Sequence, residues 1–145
     1  MVDVLTDLKI GAPRDDVAAY AGNPDNATEW YVNIKEVEWK TDRAVKVGSK
    51  VAFKAHFLGR KLAYIYEIVE YDPGKKMVMK TADGPFPMET TYTWEEDGPG
   101  LTRMTLRNRG VPSGFSKVIT PFMAMMMKRA NKKDLEKVKE IMEKK

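Results

Sequence analysis

Near residue 110 the chain changes its hydrophobic period, and that change restricts the fold more than any other feature. From residue 34 to 109 apolar side chains recur at every second position; after Gly110, Pro112 and Gly114 they recur at steps of three and four. Phe115, Val118, Ile119, Phe122, Met123, Met126 and Ala130 form one stripe. Leu135, Val138, Ile141 and Met142 continue it after a phase slip near Asn131. About 28 residues of helix span roughly 40 Å, enough to cross a whole sheet. Such a helix must bury its stripe, and the inner face of a curved sheet is the surface on offer. Pro121 lies inside the run and is expected to kink or divide the helix, since it lacks a donor and crowds the preceding turn.

The segments before the helix supply that sheet. Val2, Val4, Thr6, Leu8 and Ile10 alternate as a first strand, ended by Gly11 and Pro13. A short helix is expected over 14–21, broken by Gly22-Asn23-Pro24, and Asn26 is placed to cap a second one carrying Trp30. Strands follow over 34–40, 50–58, 62–72, 76–81, 88–96 and 101–109, separated by turn signals such as Asp72-Pro73-Gly74 and Asp97-Gly98-Pro99-Gly100. Connections this short join antiparallel neighbours. The expected fold is α+β: a helix grip, in which a curved antiparallel sheet of about seven strands wraps a long C-terminal helix. Two short helices lie between strands 1 and 2.

At 145 residues the chain forms one domain, 1–145, with no internal repeat or linker. The absence of cysteine excludes disulfides, thiolate metal sites and thiol nucleophiles. No apolar run approaches the roughly 20 residues of a membrane span. The first residues carry Asp3 and Asp7 without a basic leader, so a cytoplasmic location is expected. Net charge is +4, but the signs are mixed. In the densest basic stretch, 128–145, Asp134, Glu136, Glu140 and Glu143 offset the lysines, as on a solvated helix face. Nucleic acid is not an expected partner.

Catalytic signatures are missing. His56 is the single histidine, on a strand where Val51, Phe53, Ala55 and Phe57 form the more apolar face, so it is expected at the surface. Ser49, Ser113 and Ser116 stand in turn or helix-start contexts, without a nucleophile elbow. No metal-ligand or phosphate-loop spacing occurs, so no metal, no cofactor and no catalytic residue is assigned. In the strand AYIYEIVEYDP, Tyr64, Tyr66, Ile68 and Glu70 share one face and Ala63, Ile65, Glu67, Val69 and Tyr71 the other. Both faces are largely apolar, so parity does not choose between them. Glu67 or Glu70 would be a general base only if it faced a cavity. Met123, Met125, Met126 and Met127 crowd one helix turn, suited either to an adaptable pocket or to a flexible core. All four cannot point inward.

The order of elements and several stretches resemble the START-like superfamily that includes the birch-pollen allergen fold (SRPBCC), and within it the polyketide cyclase/dehydrase and lipid-transport subgroup. The stretches are APRDDVAAYAGNPDNATEW, VGSKV, YEIVEYDPGKKMVM, GPGLTRMTL and NKKDLEKVKEIMEK. The resemblance implies a cavity between sheet and helix that binds or transports an apolar small molecule such as a lipid or polyketide. Alternatives are a cyclase- or dehydratase-type enzyme and a co-chaperone. By this analogy Tyr64, Tyr66 and Ile68 face inward. The expected lining is Trp30, Phe53, Tyr64, Tyr66, Ile68, Met79, Tyr92, Trp94, Met104, Phe115, Ile119, Phe122 and Met126. A monomer or weak homodimer is expected, with at most transient membrane contact and no integral association.

Overall fold

The computed structural model describes residues 2–57, 59–83, 87–110 and 120–145. Seven antiparallel strands form one sheet in the order β1-β7-β6-β5-β4-β3-β2. They are β1 (Val2–Ile10), β2 (Ile34–Trp39), β3 (Lys50–Phe57), β4 (Arg60–Asp72), β5 (Lys76–Asp83), β6 (Met88–Glu96) and β7 (Thr102–Gly110). Helices α1 (Arg14–Ala21) and α2 (Ala27–Trp30) lie between β1 and β2, joined by a 3₁₀ turn, Pro24–Asn26. Helix α3, Thr120–Glu143, packs along β1. The chain forms the expected helix grip.

Alternation explains the strands directly. β6 and β7 bury every second residue, which puts Met88, Thr90, Tyr92 and Trp94 on the concave face beside Met104, Leu106 and Asn108. The convex face carries cross-strand ion pairs such as Arg107–Asp3, Arg109–Glu89 and Lys76–Glu70. The β4–β5 turn needs its glycine: Gly74 has φ +81°, and a Cβ there would stand 2.9 Å from Asp15 Oδ1.

Local details depart from expectation. Asn26 occupies the N-cap of α2 but makes no side-chain capping bond; its Nδ2 donates to Tyr20 O at 3.0 Å, while Asn23 Oδ1 accepts from Asp25 N at 3.0 Å. In β4 the alternation breaks, because the register to β5 shifts between Ile68 and Glu70. Glu70 therefore leaves the face of Tyr64, Tyr66 and Ile68 to pair with Lys76, and Tyr71 turns to the core. Pro121 is the second described residue of α3. Its expected effect on residues before 120 lies outside the described residues.

The core sits at one end of the grip. Trp30, Ile68, Met77, Trp94, Met104 and Leu106 close on Leu135, Val138 and Met142 of α3, with Val17 and Tyr20 of α1 behind them. Two hydrogen bonds tie α3 to that end: Gly11 N donates to Glu143 Oε2 at 2.8 Å, and Val32 N donates to Asp134 Oδ1 at 2.8 Å.

Candidate functional site: a cavity between the sheet and the C-terminal helix

Toward the N-terminal half of α3 the packing is incomplete, leaving a cavity of about 140 Å³. Its sheet wall is built by Phe53 on β3, Leu62, Tyr64 and Tyr66 on β4, Met79 on β5, Met88, Thr90 and Tyr92 on β6, and Asn108 on β7. Met123, Met127, Ala130, Asn131 and Asp134 of α3 face them, and Tyr31, Asn33 and Ile34 close one side. The register explains the wall. Phe53 lies opposite Tyr64, and the inward row Ile68, Met79, Thr90, Asn108 runs across four strands. Tyr64 and Tyr66 do face inward.

The aromatic wall is continuous. Phe53 meets Tyr66 edge-on with centroids 5.7 Å apart, and Tyr64 lies 5.8 Å from Tyr66. Trp30 stacks behind Tyr31 at 4.0 Å and so supports the wall from the core side.

A polar floor interrupts these apolar walls. Thr90 Oγ1 donates to Asn108 Oδ1 at 2.6 Å, and Asn108 Nδ2 donates to Asn131 Oδ1 at 3.2 Å. The hydroxyls of Tyr31 and Tyr92 are hydrogen-bonded to each other. Burial pushes the phenols of Tyr31, Tyr66 and Tyr92 far above their ordinary range, and that of Tyr64 to about 12, so all four are neutral in water near pH 7. Asp134 is 2% exposed. Burial raises its carboxyl to about 7, opposed by the Val32 N–H that favours the ionised form.

Asp134 corrects the sequence reading, which put it on a solvated face among lysines. The apolar stripe counted there slips phase near Asn131. Once polar residues are admitted, Met123, Met127, Asn131, Asp134, Val138 and Met142 follow steps of four, four, three, four and four with no slip. The helix presents one inward face throughout, and two of its members are polar. That periodicity was the signal available for finding Asn131 and Asp134.

Of the thirteen lining residues expected, Phe53, Tyr64, Tyr66, Met79 and Tyr92 border the cavity. Trp30, Ile68, Trp94 and Met104 are instead sealed in the adjoining core, packed in one cluster with Leu135, Val138 and Met142 of α3. Phe122 is 50% exposed, since the inward stripe passes through Met123, one residue or about 100° round the helix. Met126 is half-buried and off the cavity, whereas Met127 lines it. Phe115 and Ile119 lie outside the described residues. Glu67 and Glu70 do not border the cavity, and His56 is exposed. Among the described residues no cluster of carboxylates or histidine is arranged to hold a metal.

A model of the polyketide cyclase/dehydrase and lipid transport family matches residues 1–143. The chain belongs to that family. Solved structures with the same fold include a START superfamily protein from Mycobacterium smegmatis, at TM-score 0.81 and 11% identity over 99% of each chain. The Zhui aromatase/cyclase from Streptomyces sp. R1128 superposes at TM-score 0.81 with 14% identity, over 97% of this chain and 93% of that one. A protein from Thermus thermophilus does so at TM-score 0.81 and 18% identity, over 95% and 94%. At such identities the likeness speaks for the family's fold alone. Among curated proteins there is no match.

Proposed function

We propose that the protein binds or carries an apolar small molecule in the cavity between its sheet and α3, and that it does so in the cytoplasm. The observation behind this reading is a gap of about 140 Å³ with aromatic and methionine walls, next to a core that is otherwise filled. A cavity of about 150 Å³ takes one benzene-sized ring. A longer lipid or polyketide needs Met123 and Met127 to swing aside, which unbranched thioethers do readily. Among the described residues no helix is long and apolar enough to cross a membrane. Titration with isopropylbenzene, followed by NMR, tests the proposal. One saturable site per chain is expected, and a flat titration would end it.

A second reading, a cyclase- or dehydratase-type enzyme, is favoured by Asp134. A carboxyl held near pH 7 inside an apolar cavity, with a neutral tyrosine pair alongside, has the proton affinity needed of a general acid or base. On this reading turnover of a polyketide-like substrate follows an ionisation near pH 7. The Asp134→Asn variant retains binding and loses turnover.

A further inference from the structure

One residue bordering the cavity carries a buried donor without an acceptor. Asn131 is 4% exposed, and its Oδ1 is engaged by Asn108. The relay from Thr90 through Asn108 to Asn131 ends there, and Asn131 Nδ2 has no hydrogen-bond partner. Buried donors left in this state are few in folded proteins and call for an explanation. Here Arg14 Nε and the indole N–H groups of Trp30 and Trp94 share it, but of these residues Asn131 alone borders the cavity. Asp134 stands three residues on, so both side chains occupy one patch of the same helix face. Val32 N–H takes Asp134 Oδ1, and among the described residues Oδ2 has no hydrogen-bond partner.

We infer that the cavity takes a neutral carbonyl compound, its ring among the tyrosine and methionine side chains and its oxygen on Asn131 Nδ2 and the Asp134 carboxyl. This rests on the cavity being a ligand site, and it names the class of ligand. The chemistry of the lining excludes the obvious competitors. A carboxylate ligand would sit beside Asp134 in a lining that offers no cation among the described residues. An ammonium ligand could pair with ionised Asp134 but would leave the Asn131 amide donor unsatisfied. A plain hydrocarbon would fill the space and leave the same donor buried, which is costly. A ketone or quinone oxygen accepts from Asn131 and, while Asp134 is protonated, from its carboxyl O–H as well.

The second bond makes recognition pH-dependent. The titratable groups facing Asp134 are Tyr31, from the end of α2, and Tyr92, from β6, with Tyr66 of β4 beyond Tyr92. Burial keeps all three neutral. Glu29, Lys133, Glu136 and Lys137 line a separate surface groove on the outer side of Tyr31 and Val32. Asp134 therefore decides the pH response. The preference for a carbonyl is largest below about pH 7, where its carboxyl is protonated, and weaker above.

The experiment compares acetophenone with isopropylbenzene, its oxygen-free isostere, by NMR titration of the unaltered protein at acid and alkaline pH. In a cavity without donors the hydrocarbon wins by roughly 30-fold or more, because the ketone must shed its hydration. At about pH 5.5 we expect acetophenone to bind at least as tightly as isopropylbenzene. Its relative affinity should fall about fivefold by pH 8.5, the worth of one hydrogen bond. Asn131→Leu should tip the ratio toward the hydrocarbon by about fivefold or more. Asp134→Asn should abolish the pH dependence. If isopropylbenzene binds and wins by 30-fold in the unaltered protein, the carbonyl inference is overturned and the ligand site stands. If neither probe binds, both fall.

Discussion

The two halves of α3 face the same sheet and do different work. From Leu135 to Met142 the helix closes on Trp94, Met104 and Leu106, and the interface is filled with apolar side chains. From Met123 to Asp134 it packs on Leu62, Tyr64 and Met88 through Met123 but leaves space beside them, bordered by a polar relay, a tyrosine pair and a buried carboxyl. A filled core gains from every apolar contact, and among the described residues the unpartnered buried donors in this one are the indole N–H groups of Trp30 and Trp94. The cavity half instead leaves space unfilled and sets an amide and a buried carboxyl at neighbouring positions on one helix face, Asn131 and Asp134. Departures of this kind are expected at functional or strained sites. The larger apolar cluster lies at one half, and a smaller one shares the other with the polar groups of the cavity.

Truncation should separate the halves most strongly. Trp94→Ala removes a fully buried indole from the filled end and should cost about 3–5 kcal/mol in denaturant unfolding. Met127→Ala, a half-buried side chain that already borders a cavity, should cost about 1 kcal/mol or less. Similar losses at both positions would erase the distinction.

Asp134→Asn should act in the opposite direction and only at neutral to alkaline pH. The native state raises the carboxyl from 3.8 to about 7, so it prefers the protonated form. Protonated Asp134 contributes stability that is fully present below about pH 4 and lost as pH rises through 7. A shift of that size corresponds to at most about 4 kcal/mol. The asparagine variant, which keeps an oxygen for Val32 N–H, should match the parent near pH 4 and exceed it by about 2–4 kcal/mol at pH 8. A pH-independent difference in urea midpoints would mean that the carboxyl is hydrated.

Filling the gap should leave the fold in place and remove the site. Ala130 borders the cavity from α3, and Ala130→Phe should occupy it with a stability change of about 1–2 kcal/mol. Affinity for isopropylbenzene should drop beyond measurement in the same titration. The smallest effect belongs to the convex face. Asp3 pairs with Arg107 on the protein surface, and Asp3→Asn should change neither unfolding nor binding by an amount these assays detect.

Much of the architecture could be read in the residues because period and punctuation agree along the chain. The strand from Met88 to Glu96 keeps strict alternation between two turn signals, so its bounds and its inward face follow together. In β4 both faces are apolar, and the register shift after Ile68 left no mark in the alternation itself. The site was harder to read for a physical reason. A carboxylate among lysines has the same local composition whether it is solvated or buried. Only its place in the helical phase, shared with Met127 and Val138, distinguishes Asp134 from Glu136. Hydrophobicity alone also ranks Trp94 and Met104 as highly as Tyr64 and Met79. Which of them meets a filled or an empty space depends on the register of distant strands and the seating of α3.

The methionines offer the most direct measurement, because they are distributed over both halves. Met79, Met88, Met123 and Met127 border the cavity, while Met77, Met104 and Met142 are sealed in the filled core. Methyl-labelled methionine NMR during titration with isopropylbenzene reads all of them at once. Saturable shifts at one equivalent are expected for the four cavity methyls, and nearly unmoved signals for the three core methyls. Unchanged spectra throughout, or equal shifts in both groups, would contradict a ligand site confined to the N-terminal half of α3.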